Sequence, residues 1–544
     1  MDSTMQQWPL TITAILRHAC GVNGDRTVTT ATGQGGYRTT TYRELGEQTA
    51  QLAHLLREVG IEGDERVGTF MWNNTEHLAA YLAIPSMGAV LHTLNIRLSA
   101  EQIGFIAGEA EDRVIITDSS LIPLLAPVLP SVDTVHTVIV VGDGDLEPLR
   151  GADRTVLRYH EALAGRPTRF DWPDVDENSA AAMCYTSGTT GNPKGVVYSH
   201  RSSYLHSLNT CTANALDVSC GDVVLPIVPM FHANAWGLPY AALMAGAGLV
   251  MPDRFLDGAS LIGLIESQRP TLAGAVPTIW NDVLNCLEKQ PGHDISSLRL
   301  VACGGSAVPL SLMQAFQERH GVHIQQAWGM TETSPLATVA KPLPGVSDER
   351  HWSMRVTQGR PMCGVEVRIV DDAGNPLPSD GKAVGELEVR GPWITAGYYL
   401  GRDAEKFDAG WLRTGDVGVI DELGYVTLTD RAKDVIKSGG EWISSVELEN
   451  HLIGHPAVLE AAVVGVPDER WQERPLAVVV LQDGASVDPK ELREYLADKV
   501  ARWWLPERWT FVDQVPRTSV GKYDKKTIRA RHADGEYEVI HAHG

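Results

Sequence analysis

The chain has 544 residues, 43% of them hydrophobic and 21% charged, with a formal net charge of −22. That length exceeds one hydrophobic core and implies two or more domains. The acidic balance excludes an overall electrostatic attraction to nucleic acid or to an anionic membrane, and leaves room only for a local basic site. Seven cysteines, odd in number and without a C-x-x-C pair, favour reduced thiols over a disulfide framework, and no H-E-x-x-H zinc pattern occurs.

Met1-Asp-Ser-Thr-Met-Gln-Gln lacks the basic start of a signal peptide, and His541-Ala-His-Gly544 is no peroxisomal address, so a cytoplasmic, soluble protein is expected. Thr41-x-x-Glu44 reads as a capping box ahead of an apolar stripe of Leu45, Leu52, Leu55, Leu56 and Val59, ended by Gly60. Residues 66–72, 114–117 and 137–141 are short, apolar and β-branched, like buried strands. Strands alternating with helices predict an α/β fold, with helices on the faces of a sheet. The longest apolar stretch, Ala241 to Met251, has eleven residues between Pro239 and Pro252. It is too short for a bilayer, which takes about 20.

After residue 360 the pattern changes. Val365–Val370, the turn Asp371-Asp-Ala-Gly374 and Gly385–Arg390 predict an antiparallel hairpin within a small barrel or distorted sheet. Beyond about 431 a separate small α+β unit is expected. Ser444-x-x-Glu447 opens a helix, residues 461–466 and 476–481 are strands, and 489–500 is a helix.

The stretch richest in chemistry is Tyr185-Thr-Ser-Gly-Thr-Thr-Gly-Asn-Pro-Lys-Gly195, with three glycines, four aliphatic hydroxyls and one lysine. Glycines let backbone N–H groups turn inward around an anion, hydroxyls add donors or metal ligands, and Lys194 adds a compact positive charge. This suits a polyphosphate. The spacing differs from the Walker loop, which needs Gly-x-x-x-x-Gly-Lys-Ser/Thr.

That spacing resembles the phosphate loop of the acyl-adenylate-forming enzymes. Further motifs follow in the family's order: Gly304-Gly-Ser-Ala307, Trp328-Gly-Met-Thr-Glu332, Trp411-Leu-Arg-Thr-Gly-Asp416, the run from Asp430 to Trp442, and Pro516-Arg-Thr-Ser-Val-Gly-Lys522. Val228-Pro-Met-Phe-His-Ala-Asn-Ala-Trp236 and Lys437-Ser-Gly-Gly-Glu-Trp-Ile-Ser444 resemble the fatty-acyl-CoA synthetase branch, including methylmercaptopropionate-CoA ligases.

The resemblance implies a large adenylation domain (1–429) of α/β subdomains and a β-barrel-like one, a hinge at Asp430, and a small mobile domain (431–544). It implies the substrates ATP, coenzyme A and a carboxylic acid, with Mg²⁺ as cofactor. A homodimer is expected, with no nucleic-acid partner and no transmembrane segment. Thr186 and Glu332 would hold Mg²⁺; Ser187, Gly188, Thr189, Thr190 and Lys194 would hold the β- and γ-phosphates. Lys522 would reach the α-phosphate and acyl oxygen. Adenosine would lie between Gly304, Gly305, Ser306 and Ala307 on one side and Trp328 on the other, with Gln326, Ala327, Gly329 and Thr331 nearby. Asp416, supported by Arg431, would take the ribose hydroxyls, while Lys433 and Trp442 match positions that contact or gate the nucleotide.

For the second half-reaction, Lys437, Ser438, Gly439, Gly440 and Glu441 would face pantetheine. His232, Ala233, Trp236, Gly274, Ala275 and Gly304 would border the acyl group. His232 and Trp236, four apart, would share a face if a helix began at Phe231. Trp236 would either shorten the pocket or act as a gate, and the same aromatic suits a medium or long fatty acid, or a short thioether or aryl acid. An enzyme loading a carrier protein would share the first half-reaction but need a separate thiol carrier, for which the residues from Lys522 to Gly544 give no room.

Overall fold

The computed structural model describes residues 1–151, 154–186, 193–431, 434, 436–438, 441–468, 470–518 and 522–542, with the backbone alone at 430, 431, 437, 441 and 442. Two large sheets carry the body of the chain. The first has seven strands in the order 155–158, 137–141, 112–118, 66–70, 90–93, 180–185 and 195–199. All neighbours are parallel except the last pair, where Tyr185 faces Gly195. Thr137–Val141 is buried throughout, as the apolar run predicts for a parallel strand covered on both faces.

The second sheet has nine strands, ordered 360–361, 336–339, 324–329, 300–304, 272–275, 223–226, 248–251, 27–33 and 36–41. Its six central strands run parallel. Ala275 pairs with Cys303 and Gly304 with Ala327, so three sequence motifs finish side by side at one edge. Ligands of open α/β sheets collect at such carboxyl ends.

Helix Tyr42–Glu58 has the predicted capping box: Thr41 accepts from the Glu44 N–H while the Glu44 side chain accepts from the Thr41 N–H. Leu45, Leu52, Leu55 and Leu56 are buried beneath it. The apolar stretch 241–251 divides into two elements, a helix Leu238–Ala245 and a strand Gly248–Met251, with Gly246 in the left-handed region between them. Among the described residues no helix is long and apolar enough to cross a membrane. All seven cysteines are free thiols.

The predicted hairpin pairs Glu366–Val370 with Gly385–Arg390. Asp371 Oδ1 accepts from the N–H groups of Ala373 (2.9 Å) and Asn375 (2.8 Å), closing the turn. Strands 407–408, 411–420 and 426–431 complete this five-stranded sheet.

The smaller C-terminal unit has a sheet of its own, with strands 441–443, 436–438, 472–481, 508–511 and 540–541 in order and 458–468 paired to 472–481. Ser444 caps helix Ser445–Ile453 by accepting from the Glu447 N–H at 3.1 Å. Helix Pro489–Ala497 ends before the predicted residue 500. The strands predicted at 461–466 and 476–481 extend to Val458–Asp468 and Gln472–Leu481.

Candidate active site

The phosphate loop leaves the first sheet at Tyr185 and re-enters it at Gly195. Its neck is closed by backbone: the Thr186 N–H donates to the Lys194 carbonyl at 2.9 Å, and the Lys194 N–H donates to Thr186 Oγ1 at 3.2 Å. Ser187, Gly188, Thr189 and Thr190 lie outside the described residues. Lys194 pairs with Asp403, and its ammonium lies 5.4 Å from the Tyr398 ring centroid. Desolvation lowers the Lys194 pKa and Lys406 pushes the same way, while Glu332 and Glu405 oppose.

Glu332 sits across from Lys194. It is only 5% exposed, and Tyr398 donates its hydroxyl hydrogen to Oε1. Two bonds to backbone carbonyls fix the neighbourhood: Thr395 N–H to the Glu332 carbonyl (2.8 Å) and the Tyr198 hydroxyl to the Thr331 carbonyl (2.7 Å). A buried carboxylate and a hydroxyl are hard-oxygen donors suited to Mg²⁺. Among the described residues no three His, Cys, Asp or Glu side chains cluster as a metal cage. That donor set fits a small cation that keeps water and substrate phosphates as its other ligands.

At the strand ends of the second sheet, Gly304 leaves no room for a side chain, because a Cβ there would meet the Ala327 carbonyl oxygen at 2.7 Å. Gly305 has φ +85°, which favours glycine, and the Cε of Lys522 lies 3.7 Å from its missing Cβ. Ser306 is exposed and Ala307 half-buried. The structure therefore brings Lys522, from the C-terminal unit, over this glycine pair. The Lys522 turn is closed by Thr518 N–H donating to the Lys522 carbonyl at 2.7 Å.

Trp328 is buried and its Nε1–H donates to Asp416 Oδ2 at 2.8 Å. Sequence reasoning assigned the indole a stacking plane and did not foresee this bond. The hydrogen-bonding edge that tryptophan has and phenylalanine lacks is the signal for it. The Gln326 amide is occupied by backbone: it accepts from Val308 N–H (2.6 Å) and donates to the Thr357 carbonyl (2.7 Å). It thus ties the segment after Ala307 to residues 356–357. Arg431 pairs by backbone with Asp416, while its side chain, Lys433 and the Trp442 side chain lie outside the described residues. Asp430 pairs by backbone with Val417, and its side chain is likewise outside.

The helix from Phe231 that would put His232 and Trp236 on one face does not form. Ala233 (φ 42°), Asn234 (53°), Ala235 (49°), Trp236 (58°) and Gly237 (72°) make a left-handed turn before a right-handed helix starts at Leu238. Left-handed backbone costs a non-glycine residue about 1–2 kcal/mol, so the surrounding structure must over-determine it. Asn73 supplies part of that constraint, donating to the carbonyls of Pro226 (2.7 Å) and Val228 (2.9 Å) and accepting from Met230 N–H (2.8 Å). The turn lays the Trp236 ring across two strand ends. Its Cε3 and Cη2 lie 3.8 Å from the points where side chains would begin on Gly274 and Gly304, respectively. Ala233 and Ala275 are buried beside it. The His232 pKa is pushed down to about 4 by burial, with Lys522 and Arg97 acting in the same direction, so the imidazole is neutral at pH 7.

The hairpin of 436–438 and 441–443 joins the sheet of the C-terminal unit, where Ser438 is buried and its Oγ accepts from Arg474 at 3.2 Å. Gly439, Gly440 and the side chains of Lys437 and Glu441 lie outside the described residues.

Residues 16–399 match the profile of the AMP-binding enzyme family, and residues 447–522 that of the AMP-binding enzyme C-terminal domain. A 3-methylmercaptopropionyl-CoA ligase of Ruegeria pomeroyi is 43% identical over 537 residues, covering 98% of this chain and 99% of that one. A long-chain-fatty-acid–CoA ligase of Thermus thermophilus is 44% identical over 537 residues, covering 97% of each. Among solved structures, an anthranilate CoA ligase in complex with anthranoyl-AMP superposes with a TM-score of 0.88 at 25% identity, covering 98% of this chain and 100% of that one. With three of its motifs side by side at the strand ends of one sheet and these similarities spanning nearly its whole length, the chain belongs to the AMP-binding enzyme family, as an AMP-forming acid–thiol ligase that makes acyl-CoA.

Proposed function

We propose that the acid is a short to medium, unbranched and apolar one, either a fatty acid or a thioether acid of similar length. A thioether sulfur replaces a methylene with little change of shape, so one pocket accepts both. The supporting observation is Trp236, whose indole spans the Gly274 and Gly304 strand ends and limits the depth available to a chain.

In this reading the acid's carboxylate oxygen attacks the α-phosphorus of ATP and diphosphate leaves. The thiolate of coenzyme A then attacks the acyl carbon and AMP leaves. Lys522, above Gly305, offsets the negative charge where carboxylate and α-phosphate meet. Lys194 and the loop 187–190 hold the outer phosphates, exchanging the Asp403 carboxylate for phosphate oxygens. Glu332 and Thr186 would hold Mg²⁺, which would supply screening of the phosphate charge. Asp416, held by Trp328, takes the ribose hydroxyls. Neutral His232 borders the acyl carbonyl without adding a third positive charge.

A hinge at Asp430 would let Lys437–Glu441 replace Lys522 at the reaction centre for thioester formation, a gating step of the kind that limits many turnovers. A homodimer in the cytoplasm completes the proposal. The test is diphosphate release and thioester formation across acids from acetate to stearate, with aryl and 3-methylthio acids included. A maximum among short and medium apolar acids supports the proposal. A maximum at the longest chains or at aryl acids sinks it.

A further inference from the structure

One edge of strand Gln472–Leu481 in the C-terminal unit pairs with 458–468 along its length. The other edge changes partner: Gln472 meets Ser438 of the 436–443 hairpin, and Leu476–Val479 meet Arg508–Phe511. Arg474 sits at that change of partner and is 5% exposed. Its Nη1 donates to Ser438 Oγ (3.2 Å) and to the Trp503 carbonyl (2.6 Å). Its Nη2 donates to the Leu505 carbonyl (3.2 Å) and to Glu507 Oε1 (3.3 Å). Burying a guanidinium is costly unless acceptors surround it, and here the planar fork reaches four. A single side chain thus ties the hairpin to the segment that leads into strand 508–511.

The hairpin needs that tie. It pairs Ile436 with Ile443, Lys437 with Trp442 and Ser438 with Glu441, and an isolated two-stranded hairpin is marginal at best. Its open end is anchored by Ile436 and Ile443, both fully buried in the unit's apolar core. Among the described residues its far end is held by one sheet pair, Ser438 with Gln472, and by the Arg474 bond. Ser438 belongs to the run proposed above to serve the second half-reaction. Misplacing a reacting group by about 1 Å costs on the order of a hundredfold in rate.

We propose that Arg474 is a positioning residue for thioester formation, seating the far end of the hairpin through Ser438. This rests on the reading that Lys437–Glu441 serves the second half-reaction. Lys522 belongs to another turn of the same unit, closed by the Thr518 N–H on the Lys522 carbonyl. The four acceptors of Arg474 lie instead at Ser438, Trp503, Leu505 and Glu507. Arg474 is thereby tied to thioester formation and not to adenylation.

The experiment follows the two half-reactions of the whole chain separately, in single turnovers. One is acyl-AMP formation from acid and ATP; the other is thioester formation from supplied acyl-AMP and coenzyme A. Wild type is compared with Arg474→Met, Arg474→Lys and Ser438→Ala, with thermal midpoints recorded. Arg474→Met should slow thioester formation by about tenfold or more, the scale of one hydrogen bond to a charged group. Its acyl-AMP formation should stay at the wild-type rate. Arg474→Lys, which keeps the charge and loses the fork, should recover part of the loss. Ser438→Ala should slow the same step, and adding it to Arg474→Met should cost nothing more, as for two ends of one contact. The proposal is overturned if both half-reactions fall together, the mark of a loosened unit that also carries Lys522. It is overturned as well if only adenylation falls, or if neither step does. Should Arg474→Met not fold, Arg474→Lys and Ser438→Ala decide, and wild-type thioester formation in both overturns it. Gly440→Val tests the underlying reading by itself. An unchanged second half-reaction there removes the hairpin from thioester formation; a slowed one beside unchanged Arg474 variants removes Arg474 alone.

Discussion

The indole Nε1 of Trp328 donates a 2.8 Å hydrogen bond to Oδ2 of Asp416, and both side chains are buried. The aromatic plane beside the nucleotide slot is thereby coupled to the carboxylate proposed to hold ribose. Trp328→Phe keeps the plane and removes the bond. The expected outcome is an ATP KM about tenfold higher, matching the loss of one hydrogen bond to a charged group, with the acid KM unchanged. Steady-state diphosphate release at varied ATP measures it, and an unchanged KM would separate the two residues.

Lys522 over Gly305 makes a second prediction. Lys522→Ala should cut acyl-AMP formation by at least about a hundredfold, as expected for removing a preorganised charge from the reacting centre. Thioester formation from supplied acyl-AMP should change little. Single-turnover assays of the two halves distinguish them; equal losses in both would contradict the assignment.

Tyr398 links the two sides of the phosphate site, donating to Glu332 while its ring lies under the Lys194 ammonium. Tyr398→Phe retains the ring and releases the carboxylate. The Mg²⁺ concentration for half-maximal activity should rise several-fold, about 1 kcal/mol of lost orientation, and Mn²⁺ binding followed by electron paramagnetic resonance with an ATP analogue should weaken in parallel. A defect in kcat alone, with cation dependence intact, would point to packing.

The loop motifs, the capped helix 42–58 and the hairpin at 366–390 are legible in the sequence, because each rests on local spacing or local periodicity. The bonds of Trp328, Tyr398 and Asn73 are not, because their partners lie 66 to 157 positions away. The failure at 231–237 has a different cause. The four-residue spacing of His232 and Trp236 puts them on one face only if a helix begins at Phe231, and tertiary anchoring by Asn73 and the neighbouring strands sets a left-handed turn there instead. Tyr398 does not belong to the motifs singled out for chemistry; the signal that finds it is contact with Glu332 and Lys194, which do.

Burial makes stability pH-dependent. His77, His200, His232 and His323 are pushed down to about 4 and His206 to about 3, each mainly by desolvation. Between those values and 6.5 the unfolded chain binds protons that the folded chain refuses. Stability from these groups is therefore lost as pH falls through that window, by up to about 1.4 kcal/mol per pH unit for each histidine. Asp118, raised to about 7 by burial, works in the opposite direction over an overlapping range. His206 isolates one contribution: its Nε2 accepts from Leu336 N–H at 3.1 Å and it is 2% exposed. In urea unfolding from pH 7.5 to 4.5, His206→Gln should show a flatter dependence than wild type, whatever its absolute stability. Parallel curves would mean that His206 takes up its proton over the same pH range folded and unfolded, contradicting the downward shift.

The left-handed turn at 233–237 also bears on how this enzyme can be improved. Four consecutive non-glycine residues hold an unfavourable backbone there, so thermostability is being withheld at the very segment that seats Trp236. Selection for heat resistance would readily favour glycine at Ala233 or Ala235, and would loosen the indole at the same stroke. Rugged variants of this chain should accordingly drift towards broader acid tolerance, a stability–activity trade-off located in a single turn.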